Sequence, residues 1–175
     1  MSFATDDWLN AVEEQTVLAL QEDADLGTGG ALEIVTWDEE LKESPADYRD
    51  VELPALTVVC AGVSNGEIVG VPEGLELDFQ VEIWVTISAA QKSEREKALK
   101  EYLARVVRVM LQQTASSKQL SDLPAALDWA DSGGVRKVDI SGVTWNEGQT
   151  EQSHVFRGVG VVETIVSIDF QITGD

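Results

Sequence analysis

Bases are scarce in this sequence. Twelve lysines and arginines stand against 32 aspartates and glutamates, a formal net charge of −20 with the single histidine neutral. Nucleic acid phosphates repel such a chain at ordinary range, which excludes a reader of DNA or RNA sequence. One histidine, His154, excludes multi-histidine metal sites and His–His acid/base pairs, and in a polar connection it reads as solvated. One cysteine, Cys60, excludes a disulfide framework within the chain. It sits in the apolar run Leu56–Cys60 and reads as a small core residue. No apolar run approaches the roughly 20 residues of a membrane span. The start, Met1–Asp7, lacks the basic and hydrophobic parts of a signal peptide, so a protein that begins life in a cytoplasm is the expectation. Hydrophobic residues still make up 43% of 175 residues, which suits one domain, 1–175, with a substantial core rather than wholesale disorder.

The charge is unevenly spread. Residues 1–91 hold 20 acids and two bases, Lys42 and Arg49, a net −18. Residues 92–118 hold seven bases and three acids, a net +4, and the remainder holds nine acids and three bases, a net −6. The bland reading of this acidity is solubility or a salty environment. Two sharper readings are a mimic of DNA and a surface past which DNA slides without sticking.

From Leu75 to Ile87 every odd residue is apolar, while Glu76, Asp78, Gln80, Glu82, Trp84 and Thr86 lie between them. That alternation predicts a long strand with one face in a core and the other meeting water or a partner. Ser93-Glu94-Arg95-Glu96 reads as a capping box opening a helix. Along that helix Leu99, Tyr102, Leu103, Val106, Val107 and Met110 form one stripe. A first helix is expected over Asp6–Glu22, with Trp8, Leu9, Val12, Thr16, Ala19 and Leu20 toward the core, stopped by the glycines of Asp25–Gly30. Leu32–Trp37, Leu53–Ala61, Val135–Trp145 and Val155–Ile172 read as strands, and Ser64-Asn65-Gly66 as a turn. Asp38–Glu52, with seven acids in fifteen residues, reads as an exposed acidic loop with room for a helical turn, and Ser121–Trp129 as a short helix. The order predicts an α+β fold, a mainly antiparallel sheet packed on one side by two principal helices.

No pattern supplies a credible active site, metal site or cofactor site. Gly62-Val63-Ser64-Asn65-Gly66 spells G-x-S-x-G, with Asp128 and His154 following in hydrolase order. The nucleophile elbow needs a helix immediately after the serine, and Glu67–Pro72 cannot form one, so a turn is expected. Asp23-Ala24-Asp25 hints at a calcium loop, but Gly27 comes one position early and Glu33 is misplaced for the bidentate ligand. Gly27-Thr28-Gly29-Gly30 lacks the following Lys-Ser/Thr of a phosphate loop. The long strand's polar face, with Glu76, Asp78 and Glu82, is the candidate surface. It reads either as an ordinary solvated face or as the wall of a channel or a contact with another subunit. The basic helix is its complement. Glu96 with Lys100 and Glu101 with Arg105 stand four apart, leaving a surplus that includes Arg108. Opposed acidic and basic faces suit heterologous association, which closes into a ring when the rotation permits.

The layout resembles the tail terminator (tail completion) proteins of long-tailed bacteriophages. The likeness lies in the N-terminal helix, the strand-to-helix unit DFQVEIWVTIS…SEREKALKEYLARVVRVMLQQ and the terminal strand FRGVGVVETIVSIDFQI, and it spans most of the chain. It is one of element order and texture, with no short signature and no catalytic residues to carry over. The segments Asp38–Glu52 and Thr114–Trp129 are longer than a minimal member needs. The resemblance implies a non-enzymatic virion protein of the tail and neck. It would act as a homo-hexameric ring that caps the tail tube protein and meets the head connector or stopper protein, with DNA passing through the lumen without specific binding. Glu76, Asp78 and Glu82 would face the lumen or a neighbour, and Arg105 and Arg108 the complementary side. The alternatives are an acidic DNA mimic that blocks a nucleic-acid-binding protein, another neck or minor tail protein, and a small hydrolase using Ser64.

Overall fold

Alternation makes Gly74–Ala89 (β3) the centre of a six-stranded sheet. In the computed structural model, which describes residues 5–43, 47–65, 74–114, 120, 132–145, 151–152 and 155–171, every odd residue of β3 from Leu77 to Ile87 is buried. On one side β3 pairs antiparallel with Ala55–Asn65 (β2), which carries the short parallel strand Thr36–Asp38 (β1) at its outer edge. On the other side it pairs antiparallel with Val155–Gln171 (β6), and β6 with Ser132–Trp145 (β4). Glu151–Gln152 (β5) pairs with the start of β6. The fold is α+β with a mainly antiparallel sheet, as the periodicities predict.

The two helices, Thr5–Gln21 (α1) and Lys92–Leu111 (α2), share one face of the sheet. Val12 and Leu20 of α1 and Leu99, Leu103, Val106, Val109 and Met110 of α2 join Leu56, Val58, Phe79, Ile83, Val162 and Val166 in a single core. The approach of α2 is set by glycine. A Cβ at Gly160 would sit 2.6 Å from Leu103 Cδ1, and one at Gly158 would sit 3.0 Å from the Arg95 side chain. Only a strand bare of side chains at these two positions lets the helix settle so close.

The helices are also tied to each other through the turn after α1. Asp23 accepts backbone N–H bonds from Asp25 and Leu26, at 3.0 and 3.1 Å, and a two-pronged bond from Arg105 at 2.8 and 2.6 Å. A further prong reaches Asp25 at 2.9 Å. Burial works to raise the Asp23 carboxyl, but the Arg105 guanidinium and the two amides outweigh it and hold the group below its usual range. A depressed carboxyl contributes stability above its unfolded pKa and loses it as pH falls through the folded one. Arg105→Ala should therefore cost about 2 kcal/mol in urea unfolding at pH 7, the scale for a charge-assisted network at a part-buried site. The difference from wild type should shrink below pH 4.

Several expectations need correction. The capping box does not form: α2 begins at Lys92, its N-cap is Gln91 in extended conformation, and no side chain caps it. Ser93 thus falls inside the first turn, where its own amide is already helical. Glu101 is not the partner of Arg105, because Asp23 and Asp25 approach from the turn after α1 with better two-pronged geometry. Asp38–Glu52 is not simply an exposed loop, since Tyr48 is 3% exposed; the expected helical turn is a 3₁₀ turn at Asp50–Glu52. The first short strand is Thr36–Asp38 rather than Leu32–Trp37. Ser64 lies exposed in β2, which pairs antiparallel with the next described strand, so G-x-S-x-G builds no elbow. Asp128, His154, the helix expected at Ser121–Trp129 and the side chain of Trp8 lie outside the described residues.

Candidate functional site

The face of the sheet turned away from both helices is the candidate site. Alternation places Glu76, Asp78, Gln80, Glu82 and Trp84 of β3 on it, and the β3–β6 register brings up Asp169, Ser167, Ile165, Glu163 and Val161 opposite them in that order. Two acid–acid pairs result, Glu76 with Asp169 and Glu82 with Glu163. Like charges directly opposed across strands are destabilising, so sheet stability alone does not favour them.

Local bonds hold part of this charge in place. Arg136 of β4 forms a short ion pair with Glu76. Ser167 donates to Asp78 at 2.5 Å, and Trp84 Nε1–H to Glu82 at 3.0 Å. Lys137 pairs with Asp139 on the same strand. Glu163 is exposed and has no basic partner among the described residues; its carboxylate occupies the space a side chain at Gly142 would fill. Counting the described side chains on this face, six acids (Asp78, Glu82, Asp139, Glu163, Asp169 and the buried Glu76) meet two bases (Arg136 and Lys137). The result is a fixed, strongly negative wall.

One end of the wall is covered. Arg157, 7% exposed, donates to the Tyr48 carbonyl and, at 2.8 Å, to Asp50 Oδ1. Its bonds hold in place the Tyr48–Leu53 stretch, whose Tyr48 and Leu53 cluster with the buried Ala55 and whose Tyr48 hydrogen-bonds the buried Thr57. On the helix side of the same residue, Arg95 donates to the Arg157 carbonyl at 3.2 Å. Strand β6 therefore anchors α2 on one face and the acidic segment on the other.

Glu76, Asp78 and Glu82 thus share one face, as the strand pattern places them. Arg105 and Arg108 part company: Arg105 is bound within the chain to Asp23 and Asp25, whereas Arg108 is exposed on α2. Lys100 pairs with Glu96 at 2.6 Å, and Arg95 is buried, so the basic surplus of the helix is smaller than its composition suggests. Arg136, Arg157 and the opposition of Glu82 to Glu163 were not singled out from the sequence. The alternation in β6 separates Glu163 from Val162, but the register that sets it against Glu82 is a long-range fact.

Two buried acids of another kind lie on either side of the sheet, Tyr48 by the site's covered end and Cys60 on the helix face. Burial, and then a hydrogen bond to the Asp38 carboxylate, pushes the Tyr48 phenol up to about 12, and burial pushes the Cys60 thiol up to about 11. Folded values above the unfolded ones contribute stability at lower pH that disappears as pH rises through the folded values. The urea midpoint should fall steadily between pH 9 and pH 12, and Cys60 should react slowly with a disulfide reagent at pH 8 until urea exposes it.

No family model matches the chain, and no curated protein matches it. Among solved structures the fold is similar to that of a chain in the virion of a native gene transfer agent particle. The two share 14% identity over 95% of this chain and 99% of that one, with a TM-score of 0.51. At that identity the likeness shows a common α+β architecture along nearly the whole of both chains.

Proposed function

We propose that this chain is a structural protein of a phage-like virion, and specifically a tail terminator that acts as a homo-hexameric ring. The observation that carries this reading is the end-to-end likeness to a chain of the gene transfer agent virion. The acidic sheet face supports it, because a negative wall presented to a lumen repels phosphate and lets DNA pass without being held. Asp78, Glu82 and Glu163 form that wall, with Glu76 nearly covered beside Arg136 at its end. The ring stops polymerisation of the tail tube protein by occupying the tube's end, and its other side meets the head connector. Its mechanism is geometric and electrostatic, with no bond made or broken.

Native mass spectrometry over a range of concentrations, with negative-stain images of any oligomer, tests this. A closed ring with an open centre is the expected result, together with no retention of duplex DNA at physiological salt. A protein that stays monomeric at every concentration, or that competes with DNA for a nuclease or repressor, would replace this reading with that of an acidic DNA mimic.

A further inference from the structure

The two edges of the sheet differ in shape and charge. At the β1–β2 edge, a groove of about 690 Å³ runs between α1 and the chain around β1. Leu18, Trp37 and Val58 line it with apolar surface, and Glu14, Glu39 and Glu40 line it with carboxylates. Leu18 is 43% exposed, and none of these three glutamates has an ion pair among the described residues. At the opposite edge, β4 ends in Trp145, 40% exposed, with the Lys100 ammonium, half-exposed and also paired with Glu96, 5.2 Å from its ring centroid. An indole under a cation is a projecting apolar body with a positive tip.

Resting on the ring reading above, we propose that the Trp145–Lys100 knob of one subunit seats in the groove of the next. The occupant is a second copy of this chain. The knob offers what the groove lacks: an aromatic side chain for the apolar lining and a cation for the three carboxylates, the kind of anchor that dominates interfaces. Knob and groove lie at opposite ends of the strand order, so the contact is head to tail and each subunit uses both surfaces once. Backbone pairing between the edges is not needed. The Glu13 carboxylate already accepts the Cys60 N–H at 2.6 Å beside β2, and β4 is broken by irregularities at Val135/Lys137 and Ile140/Gly142, devices that keep edges from pairing.

Charge exchange tests the contact by native mass spectrometry at matched concentrations. Trp145→Ala, Lys100→Glu and the pair Glu14→Lys with Glu40→Lys should each raise the concentration for half-assembly at least tenfold, with unchanged circular dichroism. An equimolar mixture of Lys100→Glu with the double glutamate variant should regain assembly, in rings that alternate the two masses. If wild type forms rings and the variants assemble like it, or if the folded variants fail to complement when mixed, the knob-and-groove contact is wrong while the ring reading stands. If wild type forms no ring, both fall together.

Discussion

Gly160→Val should be the most damaging single substitution in the sheet. A Cβ at this position falls 2.6, 2.9 and 3.1 Å from three carbons of Leu103, itself 2% exposed and boxed in by the core. Leu103 has nowhere to swing, so α2 must lift from β6 or the strand must bend. Overpacking of this kind costs roughly 1–3 kcal/mol, and valine's two further methyl groups place the variant at the upper end or beyond. Intrinsic preference runs the other way, since valine suits a strand better than glycine. The sign of the result therefore decides between propensity and packing. Urea unfolding should show Gly160→Ala losing about 1–2 kcal/mol. Leu103→Ala alone should lose about 3 kcal/mol by leaving a cavity. The double variant should lose clearly less than the sum, because each change makes room for the other. Strict additivity would mean that contact with Leu103 is not why glycine stands at 160.

This close approach illustrates how much of the fold was legible in the sequence. The strand β3 and the stripe on α2 were readable because both depend on local periodicity, two residues for a strand and 3.6 for a helix, and that period survives whatever the tertiary context. Glu76, Asp78 and Glu82 could be placed on one face for the same reason. Gly158 and Gly160, by contrast, carry no local signal; their meaning depends on which helix crosses them. Arg105 looked like half of an i,i+4 pair with Glu101 and an assembly cation, yet Asp23 lies 82 residues away in sequence and takes it. The capping box failed through a two-residue shift, from Ser93 to Gln91, in where the chain turns into α2. The acidic segment was misread for a related reason. Its composition is that of a solvated loop, and nothing local marks Tyr48 as a buried anchor. That role is set by Arg157, from the far end of the chain.

Arg157→Met should release that anchor. Its guanidinium is a buried cation whose bonds run to the Tyr48 carbonyl and to Asp50, and its removal leaves the carbonyl without its donor beneath a covered surface. Leaving a buried acceptor unsatisfied costs about 1–3 kcal/mol, and loss of the charged bond to Asp50 adds to it. Asp50 itself has a 63% exposed side chain, so Asp50→Asn should cost well under half as much as the arginine change. Arg157→Lys should rescue little, because one ammonium lacks the planar fork that meets both acceptors at once. Hydrogen exchange separates this outcome from a general loosening. Amides around Tyr48–Leu53 should lose protection in Arg157→Met while those of Val162–Ile168 keep most of theirs. Equal loss across both regions would mean that the residue supports the whole sheet rather than the acidic segment. In the ring reading the consequence reaches the lumen. The segment covers one end of the negative wall, so its release would bare Ala55 and Thr57 and lengthen the open face. Ring assembly would then weaken only if that covered end meets a neighbour, and native mass spectrometry of Arg157→Met at the wild-type assembly concentration tells the two cases apart.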